Sequence, residues 1–175
     1  MIFKNKIFYV SLLVFSLYSC KEITSKDITT KDGLYVYKED ETLVNGSIND
    51  YFDNGRLSCT LHLENGIPSS YISYGYQREI IATSKFTIIL KTNDEIWQKN
   101  KIARLSISND KEGDYETTDL CIVLKQQLTL NYPELAQQIL QLDKKYGFDS
   151  KKIDKVYFGL GEIGPSYLYE MKVEK

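Results

Sequence analysis

Three Asn-Gly pairs, at residues 45–46, 54–55 and 65–66, constrain the fold of this chain more than any other feature of its sequence. Asn-Gly readily adopts the positive φ angles that tight β-hairpin turns require. Between the last two pairs, residues 57–63 alternate between apolar and polar side chains, which is the period of a strand with one buried face. We therefore expect an antiparallel β-meander that extends into the segments on either side.

Two more strands are predicted after these turns. The first, residues 79–91, is apolar on both of its faces and is expected to be largely buried. The second covers residues 102–108 and is followed by a charged turn at residues 109–113. The side chains of the second strand that we expect to face inward are Ala103, Leu105 and Ile107.

The apolar period then changes to that of a helix. Residues 120–128 carry leucine and valine at helical spacing, which predicts a first helix. Pro133 fits the first turn of a second helix, and Gly147 fits its C-cap. Residues 153–158 and 167–173 return to strand. The residues expected to share one face of the last strand are Tyr167, Tyr169, Met171 and Val173. The chain should therefore adopt an α+β fold: an antiparallel β-meander, two helices packed on the sheet and a C-terminal β-hairpin.

The N-terminus has the pattern of a secretory signal. Two lysines precede an uncharged run, residues 7–17, which at about 1.5 Å per residue is too short to cross a hydrocarbon core of about 30 Å. The run ends in Leu17-Tyr18-Ser19-Cys20, and its Leu17, Ser19 and Cys20 resemble the lipobox of bacterial lipoproteins. In that family the signal is removed before the cysteine, whose sulfur receives a diacylglycerol and whose new amino group is usually acylated.

The lipobox resemblance implies a cell-envelope protein anchored to a membrane, the outer membrane rather than the inner, through lipid on Cys20. An ordinary signal peptide cleaved elsewhere, or an uncleaved anchor, is the alternative. On this interpretation residues 1–19 are the signal peptide, residues 20–32 are the lipidated cysteine and a polar tether, and residues 33–175 are one globular domain. Removal of the signal, with its two lysines, leaves 20 basic and 24 acidic residues. That balance does not suggest a nucleic-acid partner, which requires a clustered basic face.

The hairpin region resembles a bacterial variant of the MORN repeat. The resemblance covers residues 32–77, and the rest of the domain is residues 79–175. The positions that match the repeat are Tyr51, Phe52, Asp53, Asn54, Gly55, Leu57, Asn65 and Gly66. Some members of that family are described as antitoxin-like, and others are envelope lipoproteins of unknown role. The resemblance implies an array of β-hairpins more than it implies an activity.

No motif in the sequence predicts catalysis, a cofactor or a metal. Residues 159–164 spell GxGxxG, but Pro165 and a strand pattern follow where a dinucleotide site needs a helix. Ser108 and Lys111 match Ser-x-x-Lys, but in a predicted charged turn. His62, the single histidine, is expected on the outward face of its strand and opposite Cys59, which argues against a shared zinc site.

The remaining polar and aromatic residues leave several alternatives open. The acidic turn at residues 39–41 could supply paired carboxylates, although the sequence predicts no cleft. Trp97 and the 14 tyrosines are interpreted mainly as structural, with Tyr74 and Tyr76 available as a partner surface. Cys59 and Cys121 could form a disulfide in an oxidising compartment or remain two buried thiols.

These observations favour a membrane-anchored, non-enzymatic binding or interaction module with a protein partner of unknown identity. The first alternative is a toxin-neutralising immunity protein, which the antitoxin-like label of the repeat family suggests. An envelope hydrolase that uses carboxylates is the third hypothesis.

Overall fold

The computed structural model describes residues 23–91, 93–161 and 167–174, and it confirms the predicted α+β fold. The strands are β1 (Ile28–Lys31), β2 (Leu34–Tyr37), β3 (Gly46–Tyr51), β4 (Leu57–Glu64), β5 (Ile67–Tyr74), β6 (Ile80–Ile89), β7 (Ile102–Glu112), β8 (Tyr115–Leu124), β9 (Lys155–Gly159) and β10 (Tyr167–Lys172). The α-helices of the described residues are α1 (Glu95–Lys99), α2 (Tyr132–Gln141) and α3 (Asp143–Tyr146).

Strands β3 to β10 form one eight-stranded sheet in which every strand lies beside its neighbour in sequence. Strands β3 to β8 are an antiparallel meander, β8 and β9 pair in parallel, and β9 and β10 form the predicted C-terminal hairpin. A parallel pair needs a long crossover connection, and α2 and α3 lie in that connection. Strands β1 and β2 form a separate antiparallel hairpin.

The Asn65-Gly66 turn is a two-residue hairpin, as the sequence predicts. Both residues have positive φ, 52° and 71°, which is the geometry of a type I′ turn between β4 and β5. Asn54-Gly55 lies in the turn between β3 and β4, with Gly55 at a φ of 76°. Asn45-Gly46 is not a hairpin turn. Its Gly46 begins β3, and the Asn45 side chain accepts a hydrogen bond from the Asn65 amide at 2.7 Å.

The two faces of the sheet are covered by different elements. On the face that we call the helix face, Leu105, Ile122 and Phe158 pack with α1, α2 and α3 into one core. On the opposite face, which we call the hairpin face, Ile48 and Leu61 pack with Tyr35 of β2 into a second, smaller core. The helices cover the C-terminal half of the sheet and reach Ile89 at the end of β6, so among the described residues the helix face of β3 to β5 and of the first part of β6 has no such cover.

The helix predicted over residues 120–128 is wrong, because this segment is the end of β8. Leu120 to Leu124 are all buried, since β8 lies under the helices on one face and under the β1–β2 hairpin on the other. A strand covered on both faces loses its polar alternation and reads as a continuous apolar run, which periodicity cannot distinguish from a buried helix. The second helix is confirmed as α2 and α3, with Pro133 in its first turn and Gly147 as a left-handed C-cap.

Three expectations for the strands also need correction. Strand β6 is not largely buried: Ile80 is 61% exposed, because no element of the described residues covers this end of the sheet. The charged turn shrinks to the two residues between β7 and β8, since β7 continues to Glu112. A β-bulge in β10 turns Tyr167 onto the hairpin face, away from Tyr169, which stacks on Tyr132 in the helix-face core.

The prediction that Ala103, Leu105 and Ile107 of β7 face inward is partly wrong, again because of a β-bulge. A bulge lies between Ile102 and Arg104, so both of these side chains are buried whereas Ala103 is only half-buried. Leu105 is fully buried as expected, and Ile107 is half-buried.

The tether is shorter than the sequence predicts. Residues 23–31 are folded: Ile23 forms a parallel bridge with Ile48, residues 25–27 form a 3-10 turn, and β1 pairs with β2. The polar side chains of this segment reflect exposure at the surface of a hairpin, not an absence of structure. The folded domain therefore includes residue 23, ten positions before the expected boundary.

The two thiols are not joined by a disulfide. Cys59 lies on β4 and Cys121 on β8, so they are separated by four strand spacings, at least about 19 Å, whereas a disulfide requires Cα atoms within about 7 Å. Burial raises the pKa of the Cys59 thiol.

Candidate ligand-binding groove at the sheet edge

The N-terminal segment is fixed against β3, the edge strand of the sheet. The Asn49 amide donates to the Ile23 carbonyl at 2.9 Å, beside the parallel bridge between Ile23 and Ile48. The Ser25 amide and hydroxyl both donate to the Asp50 carboxylate, at 3.1 and 2.7 Å. These bonds hold the segment at the outer side of the sheet.

The predicted acidic turn lies next to this segment. The Tyr37 amide donates to the Thr42 carbonyl, which closes the turn, and Glu41 occupies its left-handed position with a φ of 57°. The Asp40 carboxylate accepts hydrogen bonds from the amide and hydroxyl of Thr42, which hold the pKa of Asp40 below its ordinary value. Glu41 pairs with Lys31 of β1. The turn is thereby attached to the β1–β2 hairpin.

Between the N-terminal segment, the acidic turn and β3 lies a groove of about 1160 Å³, which we call the edge groove. Its lining residues are Ile23, Lys26, Asp27, Tyr37, Lys38, Glu39, Asp40, Thr42, Asn45, Gly46, Ser47 and Asn49. The volume lies slightly above the usual range for small-molecule sites in proteins, about 300–1,000 Å³. The edge groove can therefore hold a ligand of substantial size.

The lining of the edge groove combines both signs of charge with neutral polar groups. The Lys38 ammonium donates to the Lys26 carbonyl at 2.8 Å, which places this ammonium beside the backbone of the N-terminal segment. Glu39 and Asp40 stand on the acidic turn, and Ile23 and Tyr37 supply apolar surface. Such a lining fits a ligand that carries both hydrogen-bond donors and acceptors.

A second group of charged residues lies on the hairpin face where β7 to β10 run side by side. In register, Ser108 pairs with Asp119, and Asp119 pairs with Lys155. Asp119 is only 6% exposed, and its Oδ1 has no hydrogen-bond partner among the described residues; the same holds for Oδ1 of Asp110. Burial, followed by the neighbouring charge of Asp110, raises the pKa of Asp119 to about 6.

Lys155, the cation of this group, makes its close contacts with groups other than Asp119. The Lys155 ammonium lies 3.2 Å from the Tyr157 hydroxyl and 3.2 Å from a Glu170 carboxylate oxygen, contacts that raise the pKa of Lys155. The Tyr157 ring stacks on the Tyr167 ring with centroids 4.8 Å apart. Asp119 is therefore a buried carboxyl that holds its proton up to about pH 6.

The predicted partner surface is only half exposed. Tyr76 is 63% exposed and stacks on Phe52 with ring centroids 4.4 Å apart, whereas Tyr74 is half-buried in β5. Ile80, the first residue of β6, and Tyr115, the first residue of β8, which is 81% exposed, lie beside turns at the same end of the sheet as Tyr76. We call the surface formed by Phe52, Tyr76, Ile80 and Tyr115 the aromatic end; it contains one of the two predicted residues, Tyr76.

The residues weighed for catalysis do not come together. His62 lies on the opposite face of β4 from Cys59, as predicted, and its Nδ1 is 2.8 Å from the Ser47 hydroxyl. Ser108 and Lys111 lie inside β7, where the Ser108 hydroxyl donates to Asp110. Trp97 is a core residue at 1% exposure. Gly159 ends β9, and strand β10 comes after the glycine-rich segment, as expected.

The lipobox positions Leu17, Ser19 and Cys20 lie outside the described residues. In the part of the chain that is described, no helix is long and apolar enough to cross a membrane. Within the same residues, no three His, Cys, Asp or Glu side chains are grouped so that they could hold a metal ion.

No protein-family model, curated protein or solved structure matches this chain. The resemblances to bacterial lipoproteins and to the MORN-repeat variant therefore remain predictions from the sequence. Sequence reasoning identified the acidic turn but not the groove beside it. The groove depends on the N-terminal segment, which the sequence presents as a tether.

Proposed function

We propose that this protein is an envelope lipoprotein, anchored through Cys20, that acts as a non-enzymatic binding module with the edge groove as its ligand site. The single observation that supports a binding role is the groove itself, about 1160 Å³ in volume and lined by charged, amide, hydroxyl and aromatic side chains. The anchor is supported by the lipobox pattern of residues 17–20.

The anchor is tested by mass spectrometry of the protein extracted from membranes. We expect a first residue of Cys20 that carries acyl chains. A first residue of Met1, or an unlipidated first residue, would overturn this part of the proposal. A Cys20→Ala variant should be lost from the membrane fraction, because one or more acyl chains supply the membrane affinity.

The ligand site is tested by photocrosslinking in intact cells. A benzophenone amino acid replaces Tyr37, which lines the groove, or Tyr115, which stands 81% exposed on the aromatic end. Adducts at position 37 and not at position 115 would support the edge groove. Adducts only at position 115, or at neither position, would reject it.

A toxin-neutralising immunity protein is the second candidate. The observation that favours it is the aromatic end, because exposed aromatic side chains are enriched where proteins bind each other. On this hypothesis the adduct at position 115 is one toxin protein, and cells without the gene become sensitive to that toxin. Unchanged resistance of the deleted strain would count against it.

A further inference from the structure

The short connection between Cys20 and the folded domain limits how far the edge groove can lie from a lipid attached to Cys20. Ile23 is fixed on β3 by the Asn49 hydrogen bond and the bridge with Ile48. Cys20 precedes Ile23 by three residues, and a fully extended chain covers at most about 3.5 Å per residue. A lipid on Cys20 therefore holds Ile23 within about 10 Å of the point of attachment.

With a lipid on Cys20, the distance of about 10 Å places the edge groove at the lipid surface. Ile23 is itself part of the groove lining. The polar layer on each side of a bilayer is about 7 Å thick, half the difference between a hydrocarbon core of about 30 Å and a total of about 45 Å. A groove so close to the anchor stands in or beside this layer, whereas β10, at the other edge of the sheet, is seven strand spacings or about 34 Å from β3.

The charges of the groove match a headgroup that carries both signs. Lys26 and Lys38 both line the groove, with the Lys38 ammonium held 2.8 Å from the Lys26 carbonyl, and lysine ammonium groups bind phosphate. Glu39 presents an exposed carboxylate from the acidic turn, which suits a primary ammonium. A purely anionic headgroup would leave the carboxylates of Glu39 and Asp40 facing like charge.

We propose that the edge groove binds the zwitterionic headgroup of a phospholipid in the leaflet that holds Cys20, with the phosphate at Lys26 and Lys38 and the primary ammonium at Glu39. This inference rests on the proposed function, because it requires both the anchor and the use of the groove. It adds the class of ligand and the direction in which the domain faces.

The test uses the full-length lipidated protein, confirmed as acylated by mass spectrometry, in liposomes of equal parts phosphatidylethanolamine and phosphatidylglycerol. A benzophenone amino acid at position 37 is photolysed, and the lipid adducts are identified by mass. We expect phosphatidylethanolamine adducts to exceed phosphatidylglycerol adducts by about twofold to fivefold, the range set by exposed ion pairs. The same probe at position 115 should give few lipid adducts.

Two variants examine the assigned contacts. Lys26→Gln should reduce adducts with both lipids, and Glu39→Gln should remove the preference for phosphatidylethanolamine. Lys151→Gln, an exposed lysine on the 3-10 turn before β9, is the matched control and should change neither. All three variants should unfold at the same urea concentration as the parent.

The outcomes separate this inference from the proposal on which it rests. Equal adducts of the two lipids at position 37, or equal lipid adducts at positions 37 and 115, overturn the headgroup site. A protein adduct in cells at position 37, without lipid preference in liposomes, keeps the binding module and rejects the headgroup. An unacylated Cys20 rejects the anchor before the lipid experiment begins.

Discussion

The two halves of the sheet are stabilised differently. Among the described residues, fourteen buried side chains form the core under the helices, against five in the core under the β1–β2 hairpin. Strand β8 is buried on both faces over Leu120 to Leu124, while no described residue of β6 is fully buried. The C-terminal half therefore carries most of the hydrophobic stabilisation, whereas the N-terminal half carries the edge groove and the aromatic end.

The largest effect is expected in the C-terminal half. Phe158 is fully buried and its ring lies 4.9 Å from the Tyr132 ring, so Phe158→Ala removes a large side chain from a site that cannot collapse around the cavity. We expect it to lower the free energy of unfolding by about 3–5 kcal/mol. Urea unfolding followed by fluorescence measures this value.

A substitution by alanine in the smaller core should lower the free energy of unfolding by less than Phe158→Ala does. Leu63 is 2% exposed in the core under the hairpin, and Leu63→Ala should lower the free energy of unfolding by about 2–3 kcal/mol, at the low end for such substitutions. Hydrogen exchange should show faster opening of β3 to β5 with β7 to β9 unchanged. Equal losses of unfolding free energy in Phe158→Ala and Leu63→Ala, with uniform hydrogen exchange in both, would contradict the difference in stabilisation between the two halves.

The buried carboxyl of Asp119 makes stability depend on pH in the C-terminal half. Its pKa is raised from 3.8 to about 6, so the folded state binds the proton more tightly than the unfolded state. Its stabilising contribution is complete below about pH 4 and is lost as pH rises through 6. Asp119→Asn should therefore raise the free energy of unfolding by about 2 kcal/mol more at pH 7.5 than at pH 4.5.

Unfolding in urea at both pH values measures this difference. Asp114→Asn, on the exposed turn between β7 and β8, is the matched control and should show no such pH dependence. A variant at position 119 that is less stable than the parent at pH 7.5 would contradict the assignment of a buried, uncompensated charge.

The smallest effect concerns the hairpin turns of the N-terminal half. At Gly66 a Cβ would lie 2.6 Å from the Tyr35 carbonyl oxygen, and φ is 71°. At Gly55 φ is 76°, but no atom of the described residues would lie within 4 Å of an added Cβ. Gly55→Ala should cost about 1 kcal/mol, the strain of the left-handed conformation. Gly66→Ala should cost about 1 kcal/mol more, because the added carbon also displaces β2.

Thermal unfolding of the two glycine variants measures the difference between their losses of unfolding free energy. A difference near zero would mean that β2 moves freely away from the β4–β5 turn. In that case the hairpin would contribute little to the smaller core, and the contrast between the two halves would be larger than the structure indicates.

Local chemistry made much of this fold predictable. The Asn65-Gly66 turn, the C-cap at Gly147 and the strand alternation of β4 depend on a few neighbouring residues, because φ preferences and side-chain period are properties of the chain itself. Cys59 and His62 were correctly placed on opposite faces for the same reason.

Features that need two distant segments were missed. Residues 120–124 read as helix because a strand covered on both faces shows no polar alternation, and no local signal reveals a cover. The bulge that turns Tyr167 over adds one residue to a strand without any mark in the alternation. The edge groove requires Ile23 to lie on β3, 25 positions later in the chain at Ile48.

Short-range backbone and side-chain preferences are therefore enough to predict the turns at Asn54-Gly55 and Asn65-Gly66, the alternation of β4 and the α+β class. Only the tertiary structure decided which segments lie under cover, and with them the burial of Asp119, the exposure of Ile80 and the existence of the groove. Burial is a property of pairs of surfaces, and the polar N-terminal segment is folded because β3 offers it an edge to bond.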